Sequence, residues 1–167
     1  WWRLDVVSRR MRYGRVGLVS WAREVYRGQI QQLGLDIDGE AGGDEAGWSV
    51  SLSADGSRVA IGARFNDGTG SNAGHVRLYD FDGTSWQQVG ADIDGEAGGD
   101  FSGVSVSLSA DGSRVAIGAD FNDGTGFNAG HVRLYDFDGT SWQQVGGDIS
   151  GEAAFDNSGW SVSPGSY

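Results

Sequence analysis

The chain has 167 residues, of which 30 are glycine, one is proline and none is cysteine, and all twelve basic residues are arginine. Without cysteine there is no disulfide scaffold, zinc–thiolate centre or thiol nucleophile, and without lysine there is no Schiff base and no P-loop lysine. No uninterrupted apolar run approaches the roughly 20 residues of a membrane helix, so no membrane span is expected.

Charge divides the chain. Residues 1–27 carry seven arginines against Asp5 and Glu24, while residues 28–167 carry five arginines against 21 acids, for a net charge of −11. A body this acidic is a poor partner for nucleic-acid phosphates or anionic lipid. The basic head, residues 1–27, fits no strand pattern and stands as a separate segment, either a short helix, an unfolded tail or an artefact of gene prediction. Arginines interrupt every candidate apolar core of a signal peptide in it. Val25-Tyr26-Arg27-Gly28 then reads as the degraded end of a repeat. The first full unit, with this partial strand before it, spans 28–88; the second spans 89–144, and 145–167 is a partial third. Self-similarity sets these bounds. Residues 33–88 and 89–144 are identical at 49 of 56 positions, and Asp36-Ile37-Asp38-Gly39-Glu40 returns as Asp92-Ile93-Asp94-Gly95-Glu96 and, altered, as Asp148-Ile149-Ser150-Gly151-Glu152.

Inside each unit the apolar period is two. In the second copy Val104, Val106 and Leu108 alternate with serines, as in a half-buried strand. Ala110-Asp111-Gly112-Ser113 is a hairpin turn. Val115, Ile117 and Ala119 form a second strand with small Ala116 and Gly118 on its other face. Residues 120–129 make a long loop. Val132 and Leu134 begin a third strand whose other face carries His131, Arg133 and Tyr135. Asp138-Gly139 turns the chain into a short fourth strand, Trp142 to Val145, and residues 146–157 connect to the next copy. Four short antiparallel strands per roughly 50 residues describe a β-propeller blade. The expected fold is therefore all-β: tandem four-stranded antiparallel blades of an incomplete propeller, about two full blades with partial ones. A propeller usually needs about four blades or more, and 167 residues do not supply four units of 56. The expectation is a piece of a longer gene product, since both ends cut through a repeat; several chains completing a ring and a short open array are the alternatives.

Phe101-Ser102-Gly103-Val104-Ser105-Val106 followed by Val115-Ala116-Ile117-Gly118-Ala119 resembles the FG-GAP repeat, and Ala129-Gly130-His131-Val132-Arg133-Leu134-Tyr135 with Trp142 is similar to the rest of that repeat. The resemblance covers about residues 29–163 and implies integrin-α-type seven-bladed propellers and related surface proteins of microbes and algae. Ser102 stands where glycine follows the family's phenylalanine, Glu45-Ala46 replaces Phe-Ser, and Arg64 and Asp120 occupy the proline position, which suits a looser branch. The family's calcium loop in the first hairpin does not carry over. Ser53-Ala54-Asp55-Gly56-Ser57 and Ser109-Ala110-Asp111-Gly112-Ser113 each offer one carboxylate, and Ca²⁺ takes about six to eight oxygens. No metal site and no cofactor are expected, with Ca²⁺ left open.

In an up-down-up-down blade, the loop after the second strand and the connector between blades leave from the same rim. That rim collects Asp92, Asp94, Glu96, Asp100, Asp120 and Asp123 in the second copy, against Asp111, Asp136 and Asp138 on the other. The candidate binding residues are Asp36, Asp38, Glu40, Asp67, Asp92, Asp94, Glu96, Asp120 and Asp123. A solubility surface is the plainer reading of the same acids. His75 and His131 read as strand residues, and no asymmetric residue set suggests catalysis. Trp86 and Trp142 are expected to pack between blades, with Trp48 and Trp160 doing likewise. Arg58, Arg114, Arg77 and Arg133 are expected on exposed strand faces near acids. The expected function is a non-catalytic binding or adhesion module, extracellular or at the cell surface, meeting a protein or glycan through its acidic rim. An accessory propeller domain of a secreted enzyme and a structural repeat with no ligand are the alternatives.

Overall fold

The computed structural model describes residues 32–163. The basic head, the repeat remnant at 25–28 and the last four residues lie outside this range. The described residues contain strands and no helix. The first sheet is built from β1 (Ser49–Leu52), β2 (Arg58–Ala63), β3 (His75–Phe81) and β4 (Trp86–Gln88), each antiparallel to the next. A two-residue strand, β5 (Ile93–Asp94), also pairs with β3, at His75 and Val76. The second sheet repeats this with β6 (Ser105–Leu108), β7 (Arg114–Ala119), β8 (His131–Phe137), β9 (Trp142–Gln144) and β10 (Ile149–Ser150). Each sheet is thus a four-stranded blade whose outer strand is broken in two. The sheet and the repeat are out of phase: Ile93 and Asp94 fall in the second copy by sequence but hydrogen-bond into the first blade.

Local chemistry makes the turns. Asp55 Oδ1 accepts hydrogen bonds from Ser53 Oγ, Ser57 N and Ser57 Oγ across the first hairpin, and Asp111 does the same one repeat later. Asp82 Oδ1 accepts from the Thr84 and Ser85 amides, which closes the turn into β4.

The blades stack small face on large face. Ser49, Ser51, Ala60 and Gly62 share one face of the first blade with Val76 and Leu78. It meets the opposite face of the second blade, which carries Val106, Leu108, Val115 and Ile117. Together with Ile93 and Tyr135 these residues form the core, with Trp142 packed against its edge. Polar groups stitch the same junction. Ser49 Oγ donates to Gly103 O, Leu108 N donates to Ser51 Oγ, and Ala54 N donates to Ala110 O. Arg58 grips Asp80 through two hydrogen bonds and also reaches Gly112 O at 2.8 Å in the next blade. Its guanidinium lies 4.7 Å from the Phe137 ring centre.

Several side chains differ from the sequence expectation because burial depends on which neighbour is present. Trp142 does pack between blades and donates from Nε1 to Val89 O at 3.0 Å. Trp48 and Trp160 do not: they are 49% and 62% exposed, and Trp48 instead lies under the Arg64 guanidinium, 3.3 Å from its ring centre. Arg77 and Arg133 are buried rather than exposed, because their face of β3 and β8 turns toward the preceding connector. Arg114 alone of the four is mostly solvent-facing, with 52% of its side chain exposed.

Candidate functional site

The connector after β5 runs back along the loop that precedes β3. Gly95 N donates to Gly74 O, Gly99 N to Ser71 O and Ser102 N to Ala73 O, and Gly74 and Ser102 form a parallel bridge. Gly74 has a φ of +75°, and a Cβ there would overlap the Ser102 backbone, so only glycine permits this approach. Within each unit the loop after the second strand is tied to the connector. Asn66 Nδ2 donates to Asp44 Oδ2, and Asn122 Nδ2 to Asp100 Oδ2, both at 2.9 Å. Loop and connector therefore share a rim, and Asp44 and Asp100 are buried struts of it.

Seven of the nine acids expected here are exposed, namely Asp36, Asp38, Glu40, Asp67, Asp94, Glu96 and Asp123, and Asp92 is half-buried. Asp67 and Asp123 shape their own loops by accepting from the Asn72 and Asn128 amides. The Asp38 and Asp94 carbonyls accept from Arg77 and Arg133. Asp120 is only 1% exposed, and neither carboxylate oxygen has a hydrogen-bond partner. Burial holds its carboxyl above the usual range, the nearby Arg64 charge opposing this only in part.

The geometry gathers the rest around two histidines. His75 opens β3, and its Nδ1 lies 3.8 Å from both Glu40 Oε2 and Asp92 Oδ2. His131 opens β8, and its Nδ1 lies 3.9 Å from Glu96 Oε2 and 3.7 Å from Asp148 Oδ2. Arg77 NH1 stands 3.6 Å from the other oxygen of Glu40, and Arg133 NH1 stands 3.7 Å from that of Glu96. Both imidazoles are 1% exposed. Asp94, beside His75 in the β3–β5 register, is raised above the usual carboxylate range by desolvation and then by the like charge of Asp92. In the second group Ser150 takes its place. Burial, and next the Arg133 charge, lower His131 against the opposing pull of Asp148, Glu96 and Asp100.

Sequence reasoning supplied Glu40, Asp92, Asp94 and Glu96 but left out His75, His131, Arg77, Arg133 and Asp148. The available signal was the recurrence of His and Arg two residues apart on one strand face, 56 residues along. What the sequence lacked was the β3–β5 pairing that brings Asp92 to the same spot. Asp67, Asp120 and Asp123 belong to neither group. A pocket of about 230 Å³ opens beside the first group, lined by Asp92, Asp94, Tyr135 and Trp142 among others.

Residues 35–79 match the family model of the FG-GAP repeat. No curated protein matches the chain. FG-GAP repeats are typically non-enzymatic propeller modules and occur in extracellular proteins. Among the described residues no helix is long and apolar enough to cross a membrane.

Proposed function

With residues 35–79 an FG-GAP repeat and residues 91–135 a near-copy of it, we propose that this chain is a non-catalytic binding module that works outside the cell and meets a protein or glycan through its acidic rim. One observation carries the reading. Each junction collects two or three carboxylates around a buried histidine with a single arginine nearby, so negative charge is concentrated there rather than spread. Crowding of this kind costs free energy unless a cationic or hydrogen-bonding group meets it. The loops that hold these acids are pinned to each other by side-chain bonds to Asp44 and Asp100, so the surface is formed before a partner arrives. The neighbouring pocket adds Trp142 and Tyr135, aromatic faces of the type that sugars and basic side chains stack on.

The test is equilibrium binding of the full chain to panels of basic peptides and glycans at low and physiological salt. Asp38→Asn, Asp94→Asn and Asp123→Asn together should weaken binding and flatten its salt dependence. Absence of binding to every panel member, or binding indifferent to the triple variant, would overturn the rim as the contact face.

A further inference from the structure

Two clusters on this rim have a composition and spacing that repulsion alone does not explain. At the first, Glu40 comes from the segment before β1, His75 from the first residue of β3 and Asp92 from the segment before β5. At the second, Glu96, His131 and Asp148 occupy the same places 56 residues on. The three donor atoms in each lie within 4.8 Å of one another. The imidazole-to-carboxylate separations of 3.7–3.9 Å are too long for hydrogen bonds. A histidine at 1% exposure thus directs Nδ1 at two carboxylates without bonding either. A divalent ion with bonds of about 2.0–2.2 Å in tetrahedral coordination holds its donors about 3.4 Å apart. Each imidazole-to-carboxylate separation needs to close by only a few tenths of an ångström, and the two carboxylate oxygens, within 4.8 Å of each other, by at most about 1.4 Å.

We propose that Glu40, His75 and Asp92, and again Glu96, His131 and Asp148, are binding sites for a zinc-type first-row divalent cation. One imidazole nitrogen and two carboxylate oxygens form a donor set that zinc accepts with water in the fourth position. The same set is short of the roughly six to eight oxygens calcium takes. Arg77 and Arg133 stand beside the outer oxygens of Glu40 and Glu96, which leaves each Oε2 toward the imidazole, an orienting role for a group behind the ligands. Two carboxylates against one guanidinium leave each cluster net negative while its imidazole is neutral, the form that binds metal. An ion here ties three separated stretches of chain together at the rim of a blade, and it does so whether or not the rim meets a protein or glycan.

The experiment is calorimetric titration of the full chain with Zn²⁺, with Co²⁺ absorption as a spectroscopic readout and Ca²⁺ as the comparison. Two zinc equivalents per chain are expected, with tetrahedral Co²⁺ bands and no comparable calcium heat. His75→Gln should remove one equivalent, His131→Gln the other, and the double variant both. Glu40→Gln and Asp92→Asn alter exposed or half-exposed side chains and should also abolish the first equivalent, so the first site is testable even if His75→Gln does not fold. Lack of zinc binding, or zinc binding whose stoichiometry survives these substitutions, refutes the proposal. The inference rests on the same carboxylate clusters as the binding reading, but its test changes the ligands and reads zinc, whereas the partner test changes Asp38, Asp94 and Asp123, none of them a proposed ligand, so the failure of one is distinguishable from the failure of the other.

Discussion

Gly62→Ala probes the stacking of the two blades directly. Gly62 is buried on the small face of β2, and its φ is not in the left-handed region, so alanine suits its backbone and only space decides the outcome. An added Cβ would come within 3.0 Å of the Gly103 carbonyl carbon, with the carbonyl oxygen and Ser49 Oγ nearer still. The obstacle is backbone in the next blade, which cannot rotate away. Overpacking of this kind costs about 3 kcal/mol, the upper part of the usual range. Reduced freedom of the unfolded chain returns about 0.4–1 kcal/mol. The net loss is about 2 kcal/mol, or roughly 4–8 °C in melting temperature for a chain of this size. Thermal unfolding followed by circular dichroism measures it, with Gly42→Ala as the control. Gly42 has open space around it and an ordinary φ, so that variant should melt at or slightly above the wild-type temperature. A Gly62→Ala protein that melts with the control would refute the claim that the blades meet through this face.

Other positions use one repeat as the control for the other. Leu108→Ala empties a site 2% exposed and should cost about 2–5 kcal/mol, whereas Leu52→Ala, at the same repeat position but 56% exposed, should stay within about 0.5 kcal/mol of wild type in denaturant titration. Arg58→Ala breaks the grip on Asp80 and Gly112 and should cost about 2 kcal/mol; Arg114→Ala, whose side chain is half in solvent, should cost much less in the same assay. Asp120→Asn should raise the melting temperature at neutral pH. The folded-state value of Asp120 lies above its ordinary 3.8, so its contribution is full below that value and is lost as pH rises through the folded value; the gain should therefore vanish in acid. Asp55 and Asp111 shift the other way, each lowered to about 2 by the turn amide and hydroxyls they accept from. Their contribution is present above pH 3.8 and fades as pH falls toward 2, so Asp55→Asn with Asp111→Asn should flatten that part of the acid-unfolding curve.

Local physics wrote the strands and turns into the sequence. Alternation in Val104–Leu108 and Val115–Ala119, and the Asp-Gly pairs at 55–56, 82–83 and their repeats, specify hairpins because each depends on residues only a few positions apart. The rim was legible for the same reason: once four strands run up and down, loop and connector must leave together. Burial was not legible, because it depends on which face another blade covers. Leu52 and Leu108, or Arg58 and Arg114, have nearly the same sequence around them and opposite exposure. Nor could the sequence set the pairing of β5 with β3, which places Asp92 and Asp94 beside His75 across a gap that no local period spans. The sequence by itself determined the repeating unit and its small and large faces; the tertiary structure alone decided which faces close on each other and which carboxylates meet a histidine, since those contacts join stretches that only stacking brings within reach.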